Sequence, residues 1–445
     1  MARLPGWIVV SLALGAVGCS ARGPVAPLPD PSRPGPALPG VERDVRIGVV
    51  ESEDSVAVGS SGSFVVTERP TSRVLATGSN GAVVVTRSGP AGYRVRFGTT
   101  VAESSGPVHV TSQSGTVTVS GKPYRGSAEV RVNSAGKLAG INELPLEQYL
   151  YGVVPLELGP VAFPEVEAQK VQAIAARTYA IAYLGRRASD GYDLRATVAD
   201  QVYGGRSAEH PVSTAAVDAT RGLVARHGGQ LILARYSSTS GGHTADNEES
   251  FAENPIPYLR GVPDMPATAG PTFVASLEAF KSAPYITDFR QPPTPFDLDR
   301  PRYHRWMVEW SPAELTSMIS TFASKDVGVV RDLRVVQRGP SGRIITLEFV
   351  TDAGPVTASM GTIRSALRYV NPSGAFVNLP STLFFIEPVS RDGVVVPGSF
   401  RVFGGGFGHG TGMAQVGAVL MAKAGKNYEQ ILRHFYTGIE LTRAY

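Results

Sequence analysis

The chain has 445 residues, of which 42% are hydrophobic and 18% are charged, and its formal net charge at pH 7 is +4. This composition is typical of a globular protein that is long enough for two or three domains. No cluster of basic residues stands out, so the charge pattern gives little support to nucleic acid as a partner.

The N-terminus has the features of an export signal. Arg3 precedes an apolar run, Trp7–Val17, which is too short for a stable membrane span but suits a signal-peptide core. The single cysteine, Cys19, ends a stretch that resembles a bacterial lipobox, with Ala16 replacing the more usual leucine. We expect residues 1–19 to be a lipoprotein signal peptide and Cys19 to carry a lipid that anchors the protein to a membrane outside the cytoplasm, in the cell envelope. The alternatives are a plain cleaved signal peptide and an incidental cysteine.

Two segments of different character come next. Residues 20–44 hold seven prolines among small and charged residues, which indicates an extended linker that cannot form a core. Residues 45–123 alternate short β-like runs with Ser-Gly, Asn-Gly and Gly-Pro turns, which predicts a small antiparallel sandwich or barrel. This β-rich domain shows no acid–base constellation, so packing, spacing or partner binding is its expected role. Its clearest strand-like runs are residues 45–50, 62–66, 82–86, 93–97 and 116–119.

The next region presents one carboxylate between two regular elements. The apolar run Tyr149–Pro155 is strand-like and leads to Glu157, which precedes a Gly-Pro turn. Pro164 suits the first position of a helix, and Gly185 suits its end. The apolar residues of this helix recur at helical spacing and predict one buried face. They are Val171, Ile174, Ile181 and Leu184.

Local signals predict several further elements. We predict a helix over residues 211–220 and a hairpin about the turn at 227–229, which opens into the polar stretch Ser237–Thr244. Glycines in that stretch allow unusual backbone angles, and its hydroxyls can bond to sugar oxygens; the alternative is a polar β-turn. A capping box at Ser311 and Glu314 predicts a helix to about residue 322, and a hairpin is expected over residues 333–350.

The last motif is a glycine-rich loop, Phe403–Ala418. It does not contain Gly-x-Gly-x-x-Gly in any register, so it does not predict a dinucleotide site. After it, the spacing of apolar residues predicts a closing helix that packs on the core. These residues are Tyr428, Ile431, Leu432 and Phe435.

Taken together, these stretches resemble the signature of the SpoIID/LytB family, which includes stage II sporulation protein D and the amidase enhancer LytB. The matching stretches, in the family's order, are Leu146–Glu157, Gln169–Ala180, Ser237–Thr244 and Phe403–Ala418. The resemblance covers roughly residues 124–264 and 400–445. It implies an α+β fold, in which the β-rich domain is followed by a mixed SpoIID-like catalytic domain over residues 124–445, with an inserted α+β subdomain at about 265–385. In that insertion, Trp306 and Trp310 are expected in the core, with sugar stacking as the alternative.

The resemblance implies a peptidoglycan lytic transglycosylase that cleaves the MurNAc-GlcNAc bond and leaves 1,6-anhydro-MurNAc ends, with Glu157 as general acid and base. Apolar neighbours would raise the pKa of Glu157, whereas Lys170 or Arg177 facing it would lower that pKa. The sequence does not decide between these effects. The residues that the resemblance implies for substrate binding are Lys170, Gln172, Arg177, Tyr179, Ser240, Gly241, Gly242, His409, Gly410, Gly412 and Gln415.

No cofactor or metal is expected. Some spore-forming members hold zinc near residues 197–201, but this segment lacks cysteine and histidine here. A weaker hypothesis is a metal site of His243 and His409 with Asp246 or Glu248. The expected partners are peptidoglycan glycan strands, a membrane through Cys19 and a cell-wall amidase. The alternative function is a non-catalytic peptidoglycan-binding protein or an enhancer of that amidase. In either case we expect a role in wall remodelling during growth or division.

Overall fold

The computed structural model describes residues 40–90, 92–264, 273–283, 286–288, 303–371, 373–389 and 398–445. Cys19, the signal peptide and the linker up to residue 39 lie outside these ranges. Within them, no helix combines the length and the hydropathy that crossing a membrane requires.

One large, mostly antiparallel sheet fills the N-terminal third of the chain. Valines on alternate positions, such as Val56 and Val58 on β2 and Val83 and Val85 on β3, point into one core. All five expected strand-like runs lie in this sheet. Its strands are β1 (Asp44–Glu53), β2 (Ser55–Glu68), β3 (Val74–Ser88), β4 (Gly92–Phe97), β5 (Thr100–Ser104), β6 (Val108–Ser112), β7 (Thr116–Val119), β8 (Lys122–Arg125), β9 (Ser127–Val132), β10 (Leu138–Pro145) and β11 (Leu194–Arg195).

The strand order ties the N-terminal region to the chain beyond residue 123. The order is β11-β1-β10-β9-β6-β2-β3-β4-β5, and β7 pairs with β2 and β8. β1 pairs with β10, and β6 pairs with β9. Strands from both sides of residue 123 therefore belong to one sheet.

Three helices follow, namely α1 (Leu146–Glu157), α2 (Val166–Ala182) and α3 (Pro211–Ala219). Of these, α1 packs on this sheet, while α2 and α3 pack on α1 and on each other. The prediction of a strand over Tyr149–Pro155 was wrong, because these residues form most of α1. α1 is buried on nearly every side, so its sequence is apolar almost throughout and lacks the 3.6-residue alternation that marks a surface helix. The helices predicted near residues 164 and 211 are confirmed, although α2 begins two residues later than expected.

Short strands then return the chain toward the helices. β12 (Leu223–His227) pairs with β13 (Gln230–Leu231) in the expected hairpin, although the chain beyond residue 231 does not continue that strand. β14 (Tyr236–Ser237) instead pairs with a strand near the C-terminus, and a short helix, α4 (Asn247–Ser250), comes after it.

The region predicted to be an insertion, together with the strands that follow it up to residue 404, has its own apolar core. Trp306 and Trp310 are buried in it, as predicted, and the capping box and the hairpin about residues 339–342 are confirmed. The elements are α5 (Leu277–Lys281), β15 (Thr287–Asp288), β16 (Trp306–Trp310), α6 (Pro312–Ala323), β17 (Val330–Arg338), β18 (Ile344–Thr351), β19 (Val356–Ser359), α7 (Gly361–Ala366), β20 (Arg368–Val370), β21 (Phe376–Asn378), β22 (Phe384–Val389) and β23 (Ser399–Gly404).

The C-terminal segment completes the apolar core that contains the valines of the large sheet. β24 (Met413–Ala414) pairs in parallel with β14, and α8 (Gln415–Lys423) begins at the next residue. α9 (Tyr428–Phe435) buries Ile431, Leu432 and Phe435, as its spacing predicted. The last strand, β25 (Glu440–Arg443), pairs with β12. The architecture is α+β, as expected.

Candidate functional site

Glu157 lies at the point where four segments meet. It is the last residue of α1, and its side chain is half-buried. The backbone N–H of Val202 donates to its carboxylate Oε1 at 2.8 Å. The Nε2 of Gln415, the first residue of α8, donates to the Glu157 backbone carbonyl at 2.9 Å. Glu157 thus keeps some accessible surface while two neutral donors fix its position.

Burial dominates the electrostatics of this carboxyl. Desolvation raises the pKa of Glu157 to about 7, while the hydrogen bonds from Val202 and Gln415 act in the opposite direction. Neither Lys170 nor Arg177 is among the groups that shift this pKa in the described part of the chain. At neutral pH both protonation states of Glu157 are therefore populated, as a group that donates and then accepts a proton requires.

A buried polar layer lies behind the acid. The Tyr149 hydroxyl donates to Gln201 Oε1 at 3.2 Å, and Gln201 Nε2 donates to the Tyr236 hydroxyl at 2.9 Å. The negative charge of Glu157 contributes to the raised pKa values of both tyrosines, after burial. Tyr236 is half-buried, like Glu157. Sequence reasoning missed Gln201, Val202 and Tyr236, because only the fold brings them to α1.

Two of the candidate substrate-binding residues, Gln172 and Gln415, do meet at Glu157. Gln415 Nε2 also donates to Gln172 Oε1 at 3.2 Å. Gln172 is fully buried on α2. It therefore reaches the site through Gln415, whose amide it helps to orient.

The other α2 candidates make different contacts. Arg177 is fully buried and binds Glu147 through two hydrogen bonds of 2.7 Å. Lys170 pairs with Glu167 at 2.7 Å on a partly exposed surface. Tyr179 stacks on Tyr183, with ring centroids 4.2 Å apart. None of these contacts is with Glu157.

The Ser-Gly-Gly candidates form a second polar cluster. Ser240 is fully buried and its hydroxyl donates to Asp264, whose carboxylate also accepts from the Gly242 amide at 3.0 Å. Burial raises the pKa of Asp264. Gly241 and Gly242 have φ angles of +83° and +115°, which favour glycine. Buried hydrogen bonds to Asp264 thus fix the conformation of this turn.

His409, Gly410 and Gly412 form the other loop beside β14. The Nδ1 of His409 accepts from the Thr411 amide at 3.0 Å. Burial and the nearby charge of Arg235 lower the pKa of His409 to about 3, so the ring is neutral at neutral pH. The Gly410 amide donates to the Ser237 hydroxyl at 3.1 Å. Gly412 has a φ of +74°, and a Cβ there would meet the Arg235 carbonyl oxygen at 2.2 Å.

Two arginines from the later part of the chain contact these loops. Arg305 Nη1 donates to the Gly241 carbonyl at 2.7 Å, and Arg343 lies against both the Ser-Gly-Gly turn and Gly410 of the other loop. The fully buried Arg343 donates to the Ser240 carbonyl at 2.7 Å and to the His243 carbonyl at 3.1 Å. Within the described ranges, no group of three or more His, Cys, Asp or Glu side chains could hold a metal ion. His243 instead has its Nδ1 2.7 Å from the Thr244 carbonyl oxygen.

Two family models match parts of the chain that contribute residues to this site. Residues 134–227, which include Glu157, Gln172 and Gln201, match the family model SpoIID, described as Stage II sporulation protein. Over these residues the chain is similar to the SpoIID family. Residues 245–412 match a second model, described as a domain of unknown function (DUF8618). The first match thus includes Glu157, and the second ends within the loop that precedes Gln415.

Curated relatives extend the likeness over about two thirds of the chain. The amidase enhancer of Bacillus subtilis is 29% identical over 313 residues, which cover 66% of this chain and 40% of that protein. Stage II sporulation protein D of Bacillus amyloliquefaciens is 27% identical over 320 residues, 68% of this chain and 76% of that one. An uncharacterized protein of Brachyspira hyodysenteriae is 28% identical over 307 residues, 68% and 67% of the two chains. The match thus spans less than half of the amidase enhancer.

Proposed function

We propose that this protein is a peptidoglycan lytic transglycosylase in which Glu157 is the general acid and base. The observation that carries the proposal is the half-buried Glu157 carboxyl, whose pKa is raised to about 7 by burial with no neighbouring cation among its causes. A carboxyl with this pKa is an efficient proton donor and acceptor near neutral pH.

The reaction needs one carboxyl group. Protonated Glu157 gives its proton to the glycosidic oxygen between MurNAc and GlcNAc as the C1–O bond breaks. The 6-hydroxyl of the same MurNAc then attacks C1, and the Glu157 carboxylate accepts the hydroxyl proton. The products are a 1,6-anhydro-MurNAc end and a free GlcNAc hydroxyl, so no water enters and no second carboxylate is required, unlike in ordinary hydrolysis.

The surrounding donors suit this cycle. Gln415 and the Val202 amide steady the charged form of Glu157 between the two proton transfers, while burial favours its neutral form before the first. The Ser240 and His409 loops and Gln415 are proposed to line the cleft that receives the glycan, whereas Arg177, which is fully buried against Glu147, is not part of it.

The test is digestion of purified peptidoglycan, intact and amidase-treated, with wild type, Glu157→Gln and the control Glu429→Gln. Glu429 is an exposed carboxylate on α9, so its loss removes a charge without touching the site. We expect anhydro-MurNAc products from wild type and the control. Glu157→Gln should lower the rate at least about a hundredfold, because the proton transfer is lost. Equal cleavage by Glu157→Gln and wild type would refute the role of Glu157.

A second function is favoured by one relative, whose name is amidase enhancer. In that case the chain binds peptidoglycan and raises the activity of a cell-wall amidase without cleaving glycan. Glycan binding without any cleavage by wild type, together with faster stem-peptide release by an added amidase, would establish this function in place of the first.

We also propose a location in the cell envelope, with a lipid on Cys19 as the anchor. The apolar run before Cys19 and the peptidoglycan substrate support this location. Metabolic labelling with a palmitate analogue tests it: wild type should be labelled and Cys19→Ala should not.

A further inference from the structure

Three consecutive residues, Asp200, Gln201 and Val202, form the loop that touches the acid, and each makes a different kind of contact. Val202 contributes a backbone N–H to Glu157. A backbone amide can hold a carboxylate in one place only if its own loop is fixed. This loop belongs to no helix or strand. Its backbone bonds are those of the Asp200 amide to the Thr197 carbonyl and of the Tyr203 amide to the Ala196 carbonyl, so buried side-chain contacts supply the rest of its order.

Asp200 fixes the start of the loop. Its side chain is fully buried and accepts from Arg187 Nε at 2.9 Å, from Arg186 Nη1 at 3.3 Å and from the Arg195 amide at 2.9 Å. The Tyr179 hydroxyl donates to the same carboxylate at 3.4 Å. One carboxylate thus joins the end of α2, the following turn and β11.

Gln201 fixes the middle of the loop. Its fully buried amide bridges the Tyr149 and Tyr236 hydroxyls and donates to the Ala176 carbonyl at 3.3 Å. The bridge joins α1, α2 and β14 directly behind Glu157. Its two tyrosines are also the titratable groups that face Glu157, whereas Gln415 and Val202 offer it neutral donors.

We propose that Asp200 and Gln201 are positioning residues, whose buried side chains hold the Val202 N–H against the Glu157 carboxylate and thereby set the proton affinity and orientation of the acid. The role in catalysis rests on the proposed function; the role in the acid's proton affinity does not. An N–H donor stabilises the charged form of a carboxylate. Loosening the loop therefore makes Glu157 harder to ionise.

The experiment measures the ionisation of Glu157 by ¹³C NMR of glutamate-labelled protein, with Glu157→Gln to assign the signal. Gln201→Met keeps the size of the side chain and changes no charge. It should raise the pKa of Glu157 by about one pH unit, because a hydrogen bond to a charged group is weakened. The pH at which glycan cleavage falls off should rise with it, and kcat should drop about tenfold through lost alignment.

Asp200→Asn is the second variant. Loss of this negative charge by itself lowers the pKa of Glu157, whereas release of the loop raises that pKa. A higher pKa of Glu157 in this variant therefore supports the positioning role. The matched control is Asp352→Asn, because Asp352 also accepts from an arginine and a backbone amide, but in the insertion. This control should leave the Glu157 titration unchanged.

A wild-type readout needs no variant. The Val202 amide proton signal should move with the same midpoint as Glu157, because the two groups share a hydrogen bond. An immobile Val202 signal would overturn the proposal. So would a folded Gln201→Met variant with the wild-type pKa of Glu157. Because these readouts do not require cleavage, a chain that fails to cut glycan would refute the proposed function and still allow this test.

Discussion

At the scale of single residues, the pKa of Glu157 depends on which side chains the fold places beside it. The sequence offered two opposing influences on its pKa, apolar neighbours and the cations Lys170 and Arg177. In the structure, Lys170 pairs with Glu167 and Arg177 pairs with Glu147. Burial is therefore left without a compensating positive charge, and it raises the pKa of Glu157.

This raised pKa has a cost in stability that depends on pH. The carboxyl ionises near 4.5 in the unfolded chain but near 7 in the folded one. Between these values the folded state binds more protons, so stability falls as pH rises and stays reduced above about pH 7. We predict that Glu157→Gln is more stable than wild type by about 3 kcal/mol at pH 8. Denaturant unfolding at pH 8 and at pH 4 tests this prediction. The stability difference should be present at pH 8 and absent at pH 4.

The control is Glu429→Gln, since Glu429 is half exposed and pairs with Arg433 on its own helix. Its loss should change stability by less than about 0.5 kcal/mol at either pH. A Glu157→Gln variant that is no more stable than wild type at pH 8 would mean that the folded protein accommodates the ionised acid without penalty.

At the scale of elements, local signals predicted the structure well where the local sequence is sufficient. The capping box at Ser311 and the apolar spacing in α9 each depend on contacts within a few residues, and both were confirmed. The prediction of a strand in place of α1 failed because burial on nearly all sides of the helix removes the amphipathic pattern that marks a helix. Among the residues that meet at the site, the sequence led to Glu157, Gln172 and Gln415. The Val202 amide carries no side-chain signal, so nothing in the sequence marked it.

The close approach of Gly410 to Arg343 offers a test of packing between distant elements. Gly410 has a φ of +80°, and a Cβ at this position would lie 2.2 Å from the Arg343 guanidinium. Gly410→Ala therefore meets both backbone strain and a steric clash with a buried charged side chain. We predict a loss of about 3 kcal/mol in the free energy of unfolding. Gly354→Ala is the control for strain alone, because Gly354 has a φ of +99° with open space around it, and it should cost about 1 kcal/mol.

A double-mutant cycle separates the clash from the strain. Arg343→Ala removes the obstructing guanidinium, so Gly410→Ala added to it should cost little more than the strain of about 1 kcal/mol. If the effects of the two substitutions on the free energy of unfolding were simply additive, Arg343 would not pack against the loop that contains Gly410. The unfolding free energies of the four proteins decide the matter.

At the scale of the whole molecule, the core and the site depend on contacts between distant parts of the chain. One apolar core contains residues from Val45 to Ala444, and the large sheet crosses the position where the sequence placed a domain boundary. The Glu157 site likewise draws on residues 149–157, 172, 201–202, 236 and 415. Local patterns predict elements but not such distant pairs, which explains why the acid was predicted and most of its surroundings were not.

The ion pair of Arg177 and Glu147 joins segments that are far apart in the sequence. Arg177 also donates to the Leu223 and Val217 carbonyls, and Glu147 accepts from the Gly222 amide and the Tyr445 hydroxyl. Burial raises the pKa of Glu147, but Arg177 and these donors outweigh it and lower the pKa. One pair thus links α1, α2, α3, β12 and the C-terminal residue.

We predict that Arg177→Met lowers the free energy of unfolding by about 3–5 kcal/mol, because it leaves the Glu147 carboxylate buried without a partner. Lys170→Met is the matched control, since Lys170 lies seven residues earlier on α2 in a partly exposed pair, and its loss should cost less than about 1 kcal/mol. Denaturant unfolding measures both. If Arg177 served mainly to bind substrate, the outcome would reverse: Arg177→Met would remain stable and lose glycan affinity. A folded, stable Arg177→Met protein that no longer binds glycan would therefore contradict the structural role that these contacts assign to the pair.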